Sequence, residues 1–482
     1  MDQTTEFKRR AAELLGARGY TEDQELIEPW LTDWRGRYTG RALGMASPGS
    51  TQEVSAFVQL CAEFSVPIVP QGGNSGMCGG ATPDDSGHTV LLSLRRMNAI
   101  RGLDKSSRQV VCDAGLVLQN LHDAAAEHDL RFPLTLGGKG SATIGGLIST
   151  NAGGTQVLRH GTMRAQVLGI EAVLADGQIF DGLIALKKDN RGFDLKQLLI
   201  GSEGTLGIVT AANLRLSPAV GERVVIWSGL DTIADARELL LRFEGKLPEQ
   251  LEGFEVIPHH CLERVIQHLP DARSPLDEPH GWYALIELVA APGEIDPLRQ
   301  HAEILLAQAF EDSLLRDASI AASEIQAEEF WKLRDSIAPA ERAIGPAMQH
   351  DISVPVEKMP EFVESAIPTI EDEFPGTRGV AFGHLGDGNV HFHILAPKDA
   401  TPGIWEESEG KTISHRVHDL VTEWGGSISA EHGIGQLKRD ELGRLGDPAS
   451  LHMMQSIKNA LDPKGILNPG KLVPLAPEPS TP

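Results

Sequence analysis

Residues 66–80 read VPIVPQGGNSGMCGG, a short apolar strand that runs directly into a glycine-rich loop. Successive backbone N–H groups that no side chain covers can bind an anion, and glycine lets a phosphate approach closely. The order of these glycines departs from the GxGxxG-then-helix pattern of a Rossmann fold. The stretch therefore favours a pyrophosphate-binding loop in another fold class, although an ordinary flexible loop fits it equally well when it is considered alone.

More glycine-rich stretches follow in the same region, namely GGKGSATIGGLISTNAGG (137–154) and IGSEGTLGIVT (200–210). Serine, threonine and asparagine donors are interleaved with these glycines, and an Asp176-Gly177 turn predicts a hairpin between the two stretches. One small ligand would not need so much close backbone, so the pattern indicates a large dinucleotide. Residues from about 35 to 218 are therefore interpreted as one α+β domain that follows a short N-terminal helix.

Ser50 and Glu53 form a capping-box pattern that opens a predicted helix, whose buried face carries Val54, Phe57, Val58 and Cys61. The composition changes near Glu222, where helices begin to alternate with strands such as WYALIELVA (282–290). This pattern predicts a second domain built on an antiparallel sheet, with long helices at 297–310, 326–343 and 404–424. A C-terminal helix and a proline-rich tail, predicted to be disordered, complete the chain.

Composition disfavours several classes of function. The chain has 482 residues, enough for two or three domains, and a formal net charge of −24 that disfavours nucleic acid and anionic membranes as partners. Its four cysteines form no CxxC pair, which is typical of reduced thiols. We find neither a signal peptide nor an apolar run near the roughly 20 residues of a membrane span. A cytoplasmic protein is therefore expected.

The stretch FGHLGDGNVHFHIL (382–395) places three histidines around a Gly-Asp-Gly-Asn turn. Such turn residues tolerate left-handed backbone angles and predict a hairpin between two strands. Since side chains alternate along a strand, His384 and His391 should lie close across the pair, with His393 on the same face as His391. Two imidazoles directed at one point suggest a metal, whereas the alternative is a pair of hydrogen-bonded core histidines.

Six motifs occur in order: PQGGNSG, GSATIGG…STNAGG, GSEGTLGIVT, HLGDGNVHFH, AEHGIG and DPKGILNPGK. Together they resemble the vanillyl-alcohol-oxidase-type flavoproteins, in the branch of D-2-hydroxyglutarate and D-lactate dehydrogenases and the glycolate oxidase D-subunit. The resemblance spans residues 30 to 472 and implies FAD as cofactor. Covalent members carry a histidine in or near the first loop, and Asn74 stands there, so noncovalent FAD is expected.

The resemblance also implies the architecture. We expect an α+β fold with a PCMH-type FAD-binding domain of two α+β subdomains, an α+β substrate domain with an antiparallel sheet, and a C-terminal helical segment. The predicted limits are an N-terminal helical segment (1–34), the FAD domain (35–218), the substrate domain with the metal-binding hairpin (219–425), a C-terminal segment near the flavin (426–472) and a disordered tail (473–482).

The cofactor-binding residues implied by the motifs lie in the glycine loops and near the C-terminus. They are Pro70, Gln71, Gly72, Gly73, Asn74, Ser75, Gly76, Gly138, Ser141, Thr143, Gly145, Gly146, Ser149, Thr150, Asn151, Gly153, Gly154, Gly161, Glu203, Gly204, Gly207, Ile208 and Asn468.

The resemblance assigns roles to the histidine hairpin. His384, His391 and Glu431 are the expected ligands of zinc or manganese, and His432 is the expected general base that takes the hydroxyl proton of a D-2-hydroxy acid. Arg334 matches the arginine that holds the substrate carboxylate, although a solvated helix arginine is the alternative. In this interpretation the C2 hydride passes to FAD and the product is a 2-keto acid.

Three positions depart from the hydroxyglutarate-type pattern: Ala338 replaces a threonine, Gln349 a lysine and His393 an asparagine. Gln349 and His393 thus remain candidate substrate-binding residues, and the choice between D-2-hydroxyglutarate and D-lactate stays open. The expected electron acceptor is an electron-transfer protein or a quinone, and a homodimer is possible. Two alternatives remain, an oxidase of the same fold that uses O2 and a metal-dependent hydrolase or metal-binding protein without flavin.

Overall fold

The computed structural model describes residues 2–291 and 293–474, and the chain divides into two compact units. The first unit comprises Met1–Gly154, Gly161–Pro218 and Glu431–Pro482, and the second comprises Thr155–His160 and Ala219–Ala430. Most of the predicted tail, residues 475–482, lies outside the described residues. No helix in the described part of the chain has both the length and the apolar character needed to cross a membrane.

The first unit contains two main sheets. Its strands are β1 (Tyr20–Thr21), β2 (Met45–Ala46), β3 (Ile68–Gln71), β4 (Val90–Ser93), β5 (Ile100–Asp104), β6 (Gln109–Asp113), β7 (Leu130–Arg131), β8 (Val167–Val173), β9 (Ile179–Gly182), β10 (Ile208–Arg215) and β11 (Ser217–Pro218). The first sheet has the strand order β1-β2-β4-β3, and its strands β2, β4 and β3 run parallel. The second sheet is antiparallel with the order β5-β6-β10-β8-β9, and β7 pairs separately with β11.

The helices of the first unit pack on these sheets. The helix Thr51–Phe64 begins at Ser50, whose hydroxyl accepts the Glu53 N–H (3.2 Å), and its predicted apolar face is fully buried. All four cysteines are buried thiols. The other helices are Gln3–Leu15, Gln24–Ile27, Glu28–Trp30, Leu118–Ala126, Ile144–Ser149, Met163–Gln166, Lys196–Leu199, Arg439–Leu445 and Pro448–Leu461.

The second unit is built on one seven-stranded sheet. Its strands are β12 (Glu222–Leu230), β13 (Leu251–Pro258), β14 (Trp282–Ala290), β15 (Asp317–Ile320), β16 (Ala347–Ser353), β17 (Arg378–His384) and β18 (Asn389–Leu395). They lie in the order β15-β12-β14-β13-β17-β18-β16, and every pair is antiparallel. The predicted strand 282–290 is β14, and the predicted hairpin is the pair β17–β18.

The prediction of a single helix over 326–343 is wrong, because the structure has two helices there, Glu324–Asp335 and Ile337–Arg342. Pro339 has no N–H to donate to the carbonyl of Asp335, and its ring would clash with that group in a continuous helix. The predicted helix 404–424 contains a π-helical turn at Glu406–Gly410 before Lys411–Glu423. The other helices of this unit are Val157–His160, Ile233–Lys246, His259–His268, Ile295–Glu311, Val356–Lys358 and Met359–Glu373.

Candidate functional site

The histidine hairpin brings its three imidazoles onto one face of the second unit's sheet. In the β17–β18 register, Phe382 lies opposite His391 and Val380 lies opposite His393. His384 ends β17 diagonally across from His391, and their ring centroids are 5.4 Å apart. The centroids of His391 and His393 are 6.5 Å apart. The prediction of close histidines from the turn and the strand alternation is confirmed.

Neighbouring strands add polar residues to this face. Glu255 of β13 lies opposite His384, while Asp351 and Gln349 of β16 lie opposite His391 and His393. Glu255 and Asp351 are buried. Buried charged groups are costly unless they are paired, so a concentration of them on one sheet face indicates a functional site rather than an ordinary core.

Glu255 is a site residue that the sequence analysis missed. Its carboxylate accepts hydrogen bonds from His384 Nδ1 and from Arg334 Nε, the latter at 2.8 Å. Burial alone would raise the pKa of Glu255, but the charges of Arg334 and His384 outweigh burial and lower it. The available signal was an acidic residue inside the apolar strand GFEVI (253–257).

Arg334 lies close to both candidate metal ligands of the hairpin. Its Nη2 atom is 3.4 Å from His384 Nε2 and 3.4 Å from His391 Nε2. Burial, followed by the positive charges of Arg334 and His384, lowers the pKa of His391 well below its usual value. His391 is therefore a neutral imidazole near neutral pH, which is the form that binds metals.

Two of the predicted metal ligands, His384 and His391, lie together on the sheet of the second unit, with ring centroids 5.4 Å apart. Glu431 directly follows Ala430, whose N–H donates to the Asp351 carbonyl (3.3 Å) on the strand beside His391. Two imidazoles and one carboxylate suit zinc or manganese and leave coordination positions for a substrate. The donor set thus fits the predicted ion.

His393 has a carboxylate partner that the sequence did not reveal. His393 Nδ1 lies 2.5 Å from Glu341 Oε2, and both residues are buried. Glu341 belongs to the helix Ile337–Arg342, which also carries Ala338. Gln349 lies opposite His393 in the sheet. The three departures noted above are therefore found on the sheet face that carries the histidines and on a helix that contacts it through Glu341.

In the first unit, the loop after β3 packs backbone against backbone on the segment 141–146. A Cβ added at Gly73 would lie 1.7 Å from the Ser141 carbonyl oxygen, and one at Gly72 would lie 2.0 Å from Thr143 Oγ1. A Cβ at Gly145 would lie 2.7 Å from the Cβ of Ala114. These three glycines are thus required by contacts within the protein, whatever ligand they approach.

Buried polar atoms without a partner remain in the same unit. They include Gln71 Oε1, Thr143 Oγ1 and Asn468 Oδ1. All three belong to residues predicted to bind the cofactor, and buried polar atoms normally find a hydrogen-bond partner. A ligand with hydrogen-bond donors, such as a dinucleotide, would supply that partner, so the residues fit FAD.

Other predicted cofactor residues have side chains engaged with the protein. Asn74, with a positive φ of 51°, donates through Nδ2 to the Thr32 carbonyl (2.8 Å). Thr150 Oγ1 donates to the Gly146 carbonyl (3.0 Å), and Asn151 Oδ1 accepts the Arg164 N–H (3.0 Å). Any contact of Asn74, Thr150 or Asn151 with a cofactor must therefore coexist with these internal bonds.

Glu203 connects the GSEG motif with the EHGIG motif inside the first unit. Its two carboxylate oxygens accept the N–H groups of Ile434 (2.7 Å) and Gly435 (2.8 Å). Burial raises the pKa of Glu203, and these two N–H groups offset part of that rise. The Glu203 carbonyl also accepts the Asn468 side-chain amide (2.7 Å). The side chain of Glu203 therefore holds the segment that follows Glu431 and His432.

Replacement of Glu203 by glutamine is expected to lower the free energy of unfolding of the first unit by about 1–3 kcal/mol, because one N–H then faces an amide NH2. Chemical denaturation followed by tryptophan fluorescence measures the change. Glu249→Gln, at an exposed position, is the control and should be neutral. Equal stabilities of the two variants would contradict the bonding role of Glu203.

Comparison with family models matches both parts of the chain. A model described as "FAD binding domain" matches residues 42–182, and one described as "FAD linked oxidases, C-terminal domain" matches residues 221–472. The second match alone covers more than half of the chain. These matches support FAD as the cofactor of the glycine-rich region.

Curated relatives and solved structures agree with these matches. The chain is 37% identical over 466 residues to the mitochondrial D-2-hydroxyglutarate dehydrogenase of Arabidopsis thaliana (96% of this chain, 80% of the relative). It is 35% identical to the D-2-hydroxyglutarate dehydrogenase of Xanthomonas citri pv. viticola (92% of both chains). The structure of p-cresol methylhydroxylase superposes with a TM-score of 0.74 at 15% identity, covering 97% of this chain and 96% of the other. The predicted PCMH-type α+β fold is confirmed.

Proposed function

Because this chain belongs to the FAD-linked oxidases, in the branch of the D-2-hydroxyglutarate dehydrogenases, we propose that it oxidises a D-2-hydroxy acid to the 2-keto acid. The observation that carries the proposal is the arrangement of Arg334, 3.4 Å from the Nε2 atoms of both His384 and His391. The arginine can bind the C1 carboxylate of a 2-hydroxy acid. A metal ion held by the two histidines would lie beside it, where the C2 hydroxyl group of the same substrate could bind.

The residues of the hairpin face bind and orient the substrate. His384, His391 and Glu431 hold zinc or manganese, and such an ion supplies Lewis-acid chemistry that lowers the pKa of a hydroxyl group. Arg334 pairs with the C1 carboxylate, for which a planar guanidinium offers parallel donors. Glu255 accepts a hydrogen bond from Arg334 Nε, and Arg334 Nη2 faces the two hairpin histidines, where the substrate carboxylate would bind.

His432, directly after Glu431, is the proposed general base. It takes the proton of the C2 hydroxyl as the C2–H bond breaks and the C2=O bond forms. A histidine suits this step because its usual pKa lies near neutral pH. Bound FAD, which we propose is noncovalent, supplies the acceptor for the hydride that leaves C2. The proton and the electron pair are thus both accounted for.

The far end of the substrate is the least determined part of the proposal. D-2-Hydroxyglutarate and D-lactate are the leading substrates, and Gln349 and His393 are the proposed contacts beyond C2. Glutamine has no charge to pair with a second carboxylate, and His393 is engaged with Glu341 on Nδ1. The names of the relatives favour D-2-hydroxyglutarate, whereas these contacts leave room for a shorter acid.

Gln349→Lys is expected to move specificity toward dicarboxylates. The ratio of kcat/KM for D-2-hydroxyglutarate to that for D-lactate should rise about tenfold or more, because a hydrogen bond between charged groups adds roughly 1.5–3 kcal/mol. Steady-state kinetics with an artificial electron acceptor measure the ratio. Gln349→Met, similar in volume but uncharged, should leave it near or below the wild-type value. An unchanged ratio in the lysine variant would remove Gln349 from the substrate pocket.

The physiological acceptor is proposed to be an electron-transfer protein or a quinone. The homodimer and the cytoplasmic location remain predictions from the sequence. An oxidase that uses O2 is the second candidate function, because solved structures of the same fold include the 4-ethylphenol oxidase from Gulosibacter chungangensis.

Anaerobic titration tests the proposal directly. Purified protein with bound FAD is mixed without oxygen with single D-2-hydroxy acids, before and after treatment with EDTA. Flavin bleaching by at least one acid that EDTA abolishes is expected. The proposal fails if no acid bleaches the flavin, and bleaching insensitive to EDTA with release of peroxide in air would favour the oxidase.

A further inference from the structure

Glu255 is the group that connects a candidate metal ligand to the candidate substrate arginine. Its Oε1 atom faces His384 Nδ1 and its Oε2 atom accepts the Arg334 Nε–H group at 2.8 Å. The side chain is buried to about 1% exposure, so water cannot substitute for either partner. Each oxygen of the carboxylate is therefore committed to one of the two residues.

The position of the Glu255 carboxylate beside Nδ1 favours one tautomer of His384. An ionised carboxylate only accepts hydrogen bonds, so Nδ1 of His384 must carry the proton that lies between them. When the ring is neutral, its lone pair is then on Nε2, the atom that lies 3.4 Å from Arg334 Nη2. Carboxylates that bond the outer nitrogen of a metal-binding histidine fix its orientation and tautomer in this way.

The same carboxylate offsets the charge of Arg334. The guanidinium lies within hydrogen-bonding range of two candidate ligand nitrogens, and without a counter-charge it would oppose the entry of a divalent cation. Arg334 Nε donates to the Glu255 carboxylate at 2.8 Å, whereas the Asp335 carboxylate is 3.8 Å from Arg334 Nη1 and largely exposed. Glu255 is thus placed to let an arginine and a metal ion coexist.

We infer that Glu255 is a positioning residue that fixes His384 as an Nε2 metal ligand and Arg334 as the carboxylate-binding arginine at the same time. The inference rests on the proposed function and deepens it, because one carboxylate would then orient both a metal ligand, His384, and the carboxylate-binding arginine, Arg334. Glu255 itself contacts neither the substrate nor the cofactor in this role.

Glu255→Gln is the main test, since glutamine keeps the shape but offers one acceptor oxygen and no charge. We expect its zinc dissociation constant, measured by competition with a chromogenic chelator, to rise about 10–100-fold. The KM for the best D-2-hydroxy acid should rise as well, while FAD content stays at the wild-type level. Zinc binding as tight as in the wild type would overturn the inference.

Glu287→Gln is the matched control. Glu287 is a half-buried carboxylate on the neighbouring strand β14 that accepts from Arg223 Nη1 (3.0 Å) and Trp331 Nε1 (2.6 Å). It has the same kind of partners but no candidate metal ligand, so its loss should reduce stability without weakening zinc binding. A loss of zinc affinity equal to that of Glu255→Gln would show a general packing effect and overturn the inference.

The wild-type protein provides a second measurement that does not depend on the folding of a variant. In a 15N-histidine-labelled sample, His384 is assigned by loss of its signals in His384→Asn, and its nitrogen shifts report which nitrogen carries the proton. Protonated Nδ1 with unprotonated Nε2 is expected, and the reverse tautomer would overturn the inference. If wild-type protein binds no zinc and no D-2-hydroxy acid reduces it, the proposed function fails; failure of the Glu255 tests alone leaves that function intact.

Discussion

Replacement of His391 by alanine is expected to remove the divalent metal and to lower kcat/KM for D-2-hydroxy acids by about 10³-fold. A Lewis-acid ion contributes several kcal/mol to the transition state, and about 4 kcal/mol corresponds to that factor. Two remaining ligands, His384 and Glu431, are too few to hold a labile ion in competition with a chelator. Metal analysis of dialysed protein, together with anaerobic flavin reduction, measures both effects.

His350→Ala is the control for this substitution. His350 is a buried histidine on β16 whose two ring nitrogens contact the Phe392 carbonyl and Ser414 Oγ, both at 2.9 Å. Its loss should destabilise the second unit to a similar extent but leave metal content and flavin reduction near the wild-type level. A His391→Ala protein that keeps its metal and its rate would remove the hairpin from the mechanism.

Local sequence signals were enough to predict much of the second unit. The run 282–290 predicts a strand because it is a short apolar segment rich in residues that favour strands, and β14 has the same limits. The Gly-Asp-Gly-Asn turn predicts the β17–β18 hairpin, and the alternation of side chains then places His391 and His393 on one face. Turn chemistry and strand alternation act over a few residues, which a single sequence displays.

The partners of the histidines depend on contacts between distant parts of the chain. Glu255 is 129 residues from His384, and Glu341 is 52 residues from His393. Both pairs form only when β13 or the helix Ile337–Arg342 packs on the hairpin, and no local pattern encodes that packing. Glycine density was likewise ambiguous, since the contact of Gly73 with Ser141 shows that part of it serves the packing of one loop on another.

Gly73→Ala is expected to yield protein with little or no bound FAD. The added Cβ would lie 1.7 Å from the Ser141 carbonyl oxygen and 2.6 Å from its carbonyl carbon, far inside van der Waals contact. Both obstacles are backbone atoms, so the loop after β3 must move away from the segment 141–146. Gln71 and Thr143, whose unpartnered atoms fit the cofactor, lie on either side of this contact and would separate. The FAD-to-protein absorbance ratio after purification measures the loss.

Gly140→Ala distinguishes a local clash from a general intolerance of side chains. Gly140 directly precedes Ser141, yet a Cβ added there would meet no atom within 4 Å. This variant should bind FAD like the wild type, whereas overpacking at Gly73 should also lower the free energy of unfolding by about 1–3 kcal/mol. A Gly73→Ala protein that retains its full flavin content would mean that the two loops can separate without cost, and the close approach of their backbones would then have no part in binding the cofactor.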